Sequence, residues 1–535
     1  MPQELPRSTL AGRLPVRRLV TGLWQMADQE RDGKPYDLDA AAEALLAYAR
    51  AGFDTFDMAD HYGSAEIVAG MVHRRMREAG EVPPTILTKW CPPPGPMDPG
   101  VVRKGVETAL ERLGVETVDL MQFHWWRYES PEYLDALEGL MRLREEGLIR
   151  EIGLTNFDAA HLRLALKNGI EIASNQVCFS LLDRRAAADL SRVALENNVG
   201  ILAFGTLCGG FLSDRWLGKP EPDDIPDWSR MKYRRFIQAA GGWAAFQRLL
   251  GGLAAVARKH GVSISNVASA WVLDHPAVAA TIIGARLTEA EHRADNLAAL
   301  SFTLDPEDRE MIAEASADLC PIPGECGDEY RKPPFLTASG DLSHHLDALP
   351  PVFPVTRTGN GRSRVDSGSV WEAKAGFSRA LRTDDRILVS GTTATAPSGE
   401  VVCPGDAEGQ AVYVLDKIVA AIGSLGGTAD DVVRSRIYLR DPAAWEGVSA
   451  AHARAFGAAR PANTLIGGVA LIGPYEVEIE AEAVVSQARR PPETAPREGT
   501  PRETAPREGT PREVALRETA PRETAPRETA PRETD

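Results

Sequence analysis

A chain of 535 residues, 43% hydrophobic and 25% charged, is ordinary for a globular protein but too long for one core, so two or three domains are expected. The formal charge of −16 and the pI near 5.3 argue against nucleic acid or an anionic membrane as the main partner. No apolar run reaches membrane-span length, the opening MPQELPRSTLAGRLPVRR has no apolar signal core, and the six scattered cysteines form no CxxC pair, which fits a reduced, cytoplasmic protein without a thiol metal site.

Residues 17–330 alternate two kinds of segment. Strand-like runs stand at 17–24, 53–57, 85–90, 118–124, 149–156, 172–177, 201–205 and 280–285. Amphipathic helical patterns fill the gaps at 39–51, 65–79, 99–113, 131–147, 158–168, 184–198, 252–260 and 288–299. Ser130-Pro131-Glu132 reads as a helix start with a serine N-cap. This alternation points to α/β architecture and a (β/α)8 TIM barrel. An open doubly wound sheet would want a GxGxxG loop after its first strand, and the chain contains none. The connection 206–250 is long and rich in Trp and Tyr, which suits either a packed lid helix or a substrate-contacting loop.

Domain boundaries follow from composition. Residues 1–321 form the barrel, and 322–365 turn to Pro, Gly, Ser and charge and read as a linker. Residues 366–487 form a smaller α+β domain with strands at 386–393, 432–440 and 476–485 and helices at 407–425 and 444–456. From 488 to 535, PRETA and PREGT repeats read as a disordered Pro/Arg/Glu/Thr tail.

Chemistry-bearing residues gather after the barrel strands. The run GFDTFDMADHYG carries Asp57 and Tyr62; Lys89 lies on the third strand and His124 ends the fourth. Thr155, Asn156, Gln176, Phe204 and Arg286 follow at later strand ends. In a closed barrel these ends share one mouth. A phenol with a reference pKa of about 10 is a poor acid-base group near neutrality. A lysine beside it would favour phenolate, an aspartate would hold that lysine, and a histidine could polarise a carbonyl. With no metal set and no GxSxG elbow, hydride chemistry with a bound cofactor fits better than hydrolysis.

FDTFDMADHYG, LTKW, LMQFH, GLTNF and IIGAR resemble the aldo-keto reductase family over roughly 15–320. The resemblance implies a catalytic tetrad of Asp57, Tyr62, Lys89 and His124 and the cofactor NADPH, with NADH as the alternative. It implies cofactor contacts from Gly22, Leu23, Thr155, Asn156, Gln176, Phe204, Gly205, Leu207, Gly210, Arg286 and Asn296, and substrate contacts from Trp24 and Trp125. Thr155 replaces the family's usual serine.

GFSRALRTDDRILVSGTTA, DDVVRSRIYLRD and RPANTLIGGVALIGPYEVEIEAEAVV resemble the Rid (YjgF-like) family. This resemblance implies a chorismate mutase-like fold, assembly as a homotrimer, and a site at Glu478, Asn463 and Ser390. Asn463 stands where the family has a carboxylate-binding arginine, Phe377 where it has a tyrosine, and Ser449 where it has an asparagine. Loss of the guanidinium removes bidentate capture of a carboxylate. The reading is therefore a reductase of an aldehyde or ketone with Tyr62 as general acid. The alternative is a nucleotide-sensing or assembly protein whose Rid-like part trimerises or binds a small metabolite.

Overall fold

The computed structural model describes residues 5–30, 36–225, 227–288, 292–332 and 350–486. The repeat tail expected at 488–535 lies outside them. The chain enters through a hairpin, β1 (Arg7–Leu10) and β2 (Leu14–Arg17), paired antiparallel. Parallel strands follow: β3 (Leu19–Gly22), β4 (Thr55–Asp57), β5 (Thr85–Trp90), β6 (Val118–His124), β7 (Ile149–Thr155), β8 (Ser174–Cys178), β9 (Gly200–Phe204) and β10 (Val278–Gly284). They close into a barrel in the order β10-β3-β4-β5-β6-β7-β8-β9. The barrel reading is correct, and β5 and β6 fall on the residues expected.

The hydrophobic pattern explains the closure. Residues of β3, β4 and β8 are buried at every position, as strands covered on both faces must be. Leu87, Leu120 and Leu202 point into the barrel and pack with Leu10, Leu14 and Val16 of the hairpin. A Cβ on Gly200, the first residue of β9, would lie 2.5 Å from Leu10 Cδ2. The hairpin therefore plugs the N-terminal ends of the strands and leaves the C-terminal ends for the cavity.

Helices cover the outside, and their ends are signed in the sequence. Asp98 accepts from the N–H groups of Gly100 and Val101, Pro99 opens the helix Pro99–Leu113, and Gly114 at φ 64° ends it. Ser130 departs from its expected role. The helix is Tyr133–Glu145, its N-cap is Glu132 with no side-chain cap bond, and the buried Ser130 instead offers its carbonyl to Trp125 Nε1 at 3.0 Å. The long connection 206–250 is mostly helical, with Trp228–Ala239 followed by the start of Gly242–His260. Its Trp243 packs edge to face with both Phe211 and Trp216, Trp216 lies tilted on Phe211, and its Trp228 and Lys232 line the cavity.

The stretch read as a linker contains structure. Asp328–Arg331 forms a helical turn against the barrel, and β11 (Val355–Arg357) pairs with β12 (Ser363–Val365). The hairpin turns at Asn360-Gly361, where Gly361 has φ 77°. That dipeptide is a hairpin signal, hidden here by the polar residues around it. The sheet continues through β13 (Ala380–Thr383), β14 (Arg386–Thr393), β15 (Val432–Leu439), β16 (Ala462–Gly467) and β17 (Val477–Val484). Its order is β11-β12-β13-β14-β17-β15-β16, antiparallel except for the β15–β16 pair.

Strict alternation on β17 sends Val477, Ile479, Ala481 and Ala483 to the helix-covered face and Glu478, Glu480 and Glu482 to the other. The helix Ala407–Ser424 is buried nearly all round, because it packs on its own sheet and on the barrel helix Ala159–Lys167. No described helix is long and apolar enough to cross a membrane. The hairpin plug gives a direct test. Leu10→Ala should cost about 2–5 kcal/mol of stability by chemical denaturation, the range for a buried large-to-small change.

Candidate active site

Strand alternation sorts the barrel interior into layers. On β5, Leu87 fills the floor and Lys89, two residues on, reaches the mouth; on β6, Leu120, Gln122 and His124 climb in the same way. The mouth opens into one cavity of about 660 Å³.

At its base lies a buried ion pair. Lys89 Nζ donates to Asp57 Oδ2 at 2.7 Å and to the Met58 carbonyl at 2.9 Å, and both charged side chains are about as buried as core residues. Asp57 Oδ1 accepts from Gln122 Nε2 at 3.0 Å and Gln176 Nε2 at 2.6 Å. Every polar atom of the pair thus has a partner, which buried charge requires.

Tyr62 stands over this pair, with Lys89 Nζ 4.8 Å from its ring centroid. Burial, then the Asp57 charge, push the phenol well above its usual value. This differs from the expected lowering by Lys89, because burial and the neighbouring Asp57 carboxylate both act to raise it. Both influences favour the protonated phenol. Across the cavity His124 donates from Nδ1 to the Thr155 carbonyl at 3.2 Å, which assigns a proton to Nδ1. Trp126 meets the His124 ring edge-on with centroids 4.2 Å apart.

The expected cofactor residues gather here. Gly22, Thr155, Asn156, Gln176, Phe204, Gly205, Leu207, Gly210, Arg286 and Asn296 line the cavity, as does Trp24, which packs against Tyr62 with ring centroids 4.9 Å apart. Thr155 Oγ1 and Asn156 Oδ1 are buried with no hydrogen-bond partner among the described residues. Gln176 Nε2 is spent on Asp57 and Gln122, so its carbonyl oxygen is the atom it can offer a ligand. A hydroxyl and two amide oxygens suit a carboxamide, and the residues present fit a nicotinamide.

Two positions need correction. Leu23 is fully buried in the core, its N–H donating to the Asp57 carbonyl at 2.9 Å, and does not line the cavity. Trp125 is also fully buried, stacked on Phe123 with its Nε1 bound to Ser130. Trp126 takes the cavity wall instead. The signal was available: continuing the parity of Gln122 and His124 leads to 126 rather than 125. Arg286 faces a carboxylate within the chain, Asp227, which also caps the helix Trp228–Ala239.

Sequence reasoning missed Lys232 and Tyr330. Lys232 Nζ donates to Tyr330 Oη at 2.6 Å, lies 5.1 Å from the Phe204 ring centroid and is balanced by Glu329 at 3.7 Å. Lysine has only donors, so the Tyr330 oxygen accepts here and its own proton is left to donate elsewhere. Tyr330 lines the cavity with its ring 5.9 Å from that of His124. It lies in a non-periodic Pro-Gly stretch, which gave no pattern to find it by.

In the second domain Asn463 and Glu478 lie on opposite faces of the sheet. Glu478 is half-buried on the open face of β17, its carboxyl raised by burial against the pull of Arg379. Asn463 donates to Ser435 Oγ at 2.9 Å, and Ser435 bonds His452 of the helix Trp445–Phe456 at 2.8 Å, so Asn463 belongs to the opposite face. Ser390 spends its hydroxyl on the Ser378 carbonyl at 2.8 Å.

Comparison with known proteins follows the same division. Residues 18–317 match the model of the Aldo/keto reductase family, and residues 368–485 match that of Endoribonuclease L-PSP. Flagellar radial spoke protein 5 of Chlamydomonas reinhardtii is 32% identical over 33% of this chain, and the chain spans only 36% of its length. The NADH-specific methylglyoxal reductase of Escherichia coli K12 is 24% identical over 57% of this chain and 96% of its own. A crystal structure of a YjgF family member from Mycobacterium tuberculosis is 41% identical, covers 23% of this chain and 99% of its own, and has a TM-score of 0.21.

The buried pair makes a thermodynamic prediction. Lys89→Met strands Asp57 and should cost about 3–5 kcal/mol of stability. Adding Asp57→Asn should recover part of that loss. Equal melting of the single variant and the wild type would contradict the ion pair.

Proposed function

The chain belongs to the aldo/keto reductase family, and we propose that it reduces an aldehyde or ketone to the alcohol with a nicotinamide cofactor. The observation that carries this reading is the Lys89–Asp57 pair beneath Tyr62, with His124 across the same cavity. A bound reduced nicotinamide supplies the hydride. Tyr62 donates its proton to the carbonyl oxygen. Lys89 stabilises the phenolate that remains, and Asp57 keeps Lys89 in place. His124, oriented by the Thr155 carbonyl, holds the substrate oxygen toward Tyr62.

Thr155, Asn156 and Gln176 would hold the carboxamide, and Gly22, Phe204, Gly205, Leu207 and Gly210, which line the same cavity, would contact the rest of the cofactor. Arg286 and Asn296 face the adenosine end. NADPH is the proposed cofactor, and NADH competes for the role because Asp227 already occupies Arg286. Trp24 and Trp126 frame a small carbonyl substrate. The second domain is proposed to assemble the chain as a homotrimer. Imine hydrolysis is not assigned to it, since Asn463 offers no guanidinium and Glu478 lies on the other sheet face.

Two experiments test the reading. Tyr62→Phe should lower kcat/KM for carbonyl reduction by roughly 10²–10⁴-fold, the usual worth of a general acid; full activity would refute Tyr62. Tight cofactor binding by the wild type with no turnover on a broad aldehyde and ketone panel would favour the nucleotide-sensing role. The raised phenol also sets a pH profile. Reduction needs the acid form, so its rate should stay level from pH 7 to about 9, below the phenol's reference value of about 10. Alcohol oxidation needs the phenolate and should climb over that range. A reduction rate that falls steadily above pH 7 would contradict the assignment.

A further inference from the structure

The second domain touches the barrel site through one buried chain of contacts. It starts at Asp416, on the helix Ala407–Ser424. Asp416 Oδ2 lies 2.8 Å from Nε2 of His161, on the barrel helix Ala159–Lys167, and His161 Nδ1 lies 2.7 Å from Asp158 Oδ1. His161 is completely buried. An imidazole held between two carboxylates donates from both nitrogens, which requires the protonated ring. Burial alone would depress its pKa, but Asp158 and Asp416 outweigh burial and raise it. Arg454, from the helix Trp445–Phe456, adds a second cation 3.4 Å from Asp416 Oδ1.

The chain continues toward the cavity. The Tyr128 ring lies flat on His161, with centroids 3.3 Å apart. Its hydroxyl accepts from the Asp158 N–H at 3.1 Å and donates to the Asn156 carbonyl at 3.4 Å. Arg331 donates to that same carbonyl at 2.6 Å and lies over the Tyr128 ring. Asn156 has φ 61°, a left-handed conformation that asparagine adopts more readily than most side chains do. Its side-chain oxygen is one of the buried cavity atoms with no described partner.

We propose that Asp416 is a positioning residue for the barrel site: through His161 and Tyr128 it fixes the turn at Asn156–Asp158, and so the side chains that grip the nicotinamide carboxamide. The proposal rests on the cofactor reading above. Asp158 cannot do this alone. One of its oxygens, Oδ1, already serves both the N–H and Nδ1 of His161. Without Asp416 a wholly buried imidazolium keeps half of its compensation, so the ring must lose its proton or move. Among the described residues, the cross-domain ion pairs of Arg163 with Asp406 and Glu408 join the same two helices, and none of these three residues lines the cavity.

The test uses the full chain and reads cofactor binding, by nicotinamide fluorescence with NADPH and with NADH. Asp416→Asn should raise the dissociation constant about 5–20-fold, and Asp416→Glu should restore most of it. Arg163→Ala should leave the constant near that of the wild type. In the cofactor-free protein, backbone amides at 156–158 should exchange faster in Asp416→Asn than in the wild type. Unchanged affinity and exchange in a folded Asp416→Asn variant would overturn the inference, as would an equal loss in Arg163→Ala. A wild type that binds neither dinucleotide would overturn the cofactor reading, and this inference with it.

Discussion

An ammonium and a carboxylate buried 2.7 Å apart set the terms for the rest of the barrel. Such a pair persists inside a protein only when its remaining polar valences are met. Here two glutamines, Gln122 on β6 and Gln176 on β8, and one backbone carbonyl meet them. Those groups converge only if β4, β5, β6 and β8 are held in one closed register. The hairpin plug at the opposite end secures that closure with leucines and a valine. Stability is thus concentrated at the floor and polar chemistry at the rim.

The pair also decides what Tyr62 can be. A lysine without a counter-ion would draw the phenol toward phenolate. A lysine neutralised by Asp57 leaves burial as the dominant influence, and the phenol keeps its proton. A resting proton donor suits delivery to a carbonyl oxygen. The same cation lies within reach once negative charge appears on the phenol.

Much of this was legible in the amino-acid order, for definite reasons. Position at the ends of the third and fourth strand-like runs put Lys89 and His124 at the mouth, and the alternation of strand-like and helical segments marked the barrel. What stayed hidden depended on distance in space. Nothing local distinguishes Trp125 from Trp126 until strand parity is carried past the end of β6. Tyr330 comes from a four-residue helix in a Pro-Gly stretch, and only the folded chain brings it to Lys232. Glu478 lies on a strand the sequence marks and Asn463 on one it does not, and that they fall on opposite sheet faces follows only from the pairing through Ser435 and Ala481. The sequence marks a helix at 407–425, close to Ala407–Ser424, but not what covers it. Its burial on nearly all sides reflects the barrel packed against it.

Hydride transfer is the central claim, and deuterium reports it most directly. The purified chain should be given a ketone or aldehyde it turns over, together with nicotinamide cofactor carrying deuterium at C4 on one face at a time. The account predicts that one of the two labelled faces delivers its deuterium to the carbinol carbon of the alcohol, without exchange into water. Alcohol formed with no deuterium from either face, or with label lost to solvent, would contradict it.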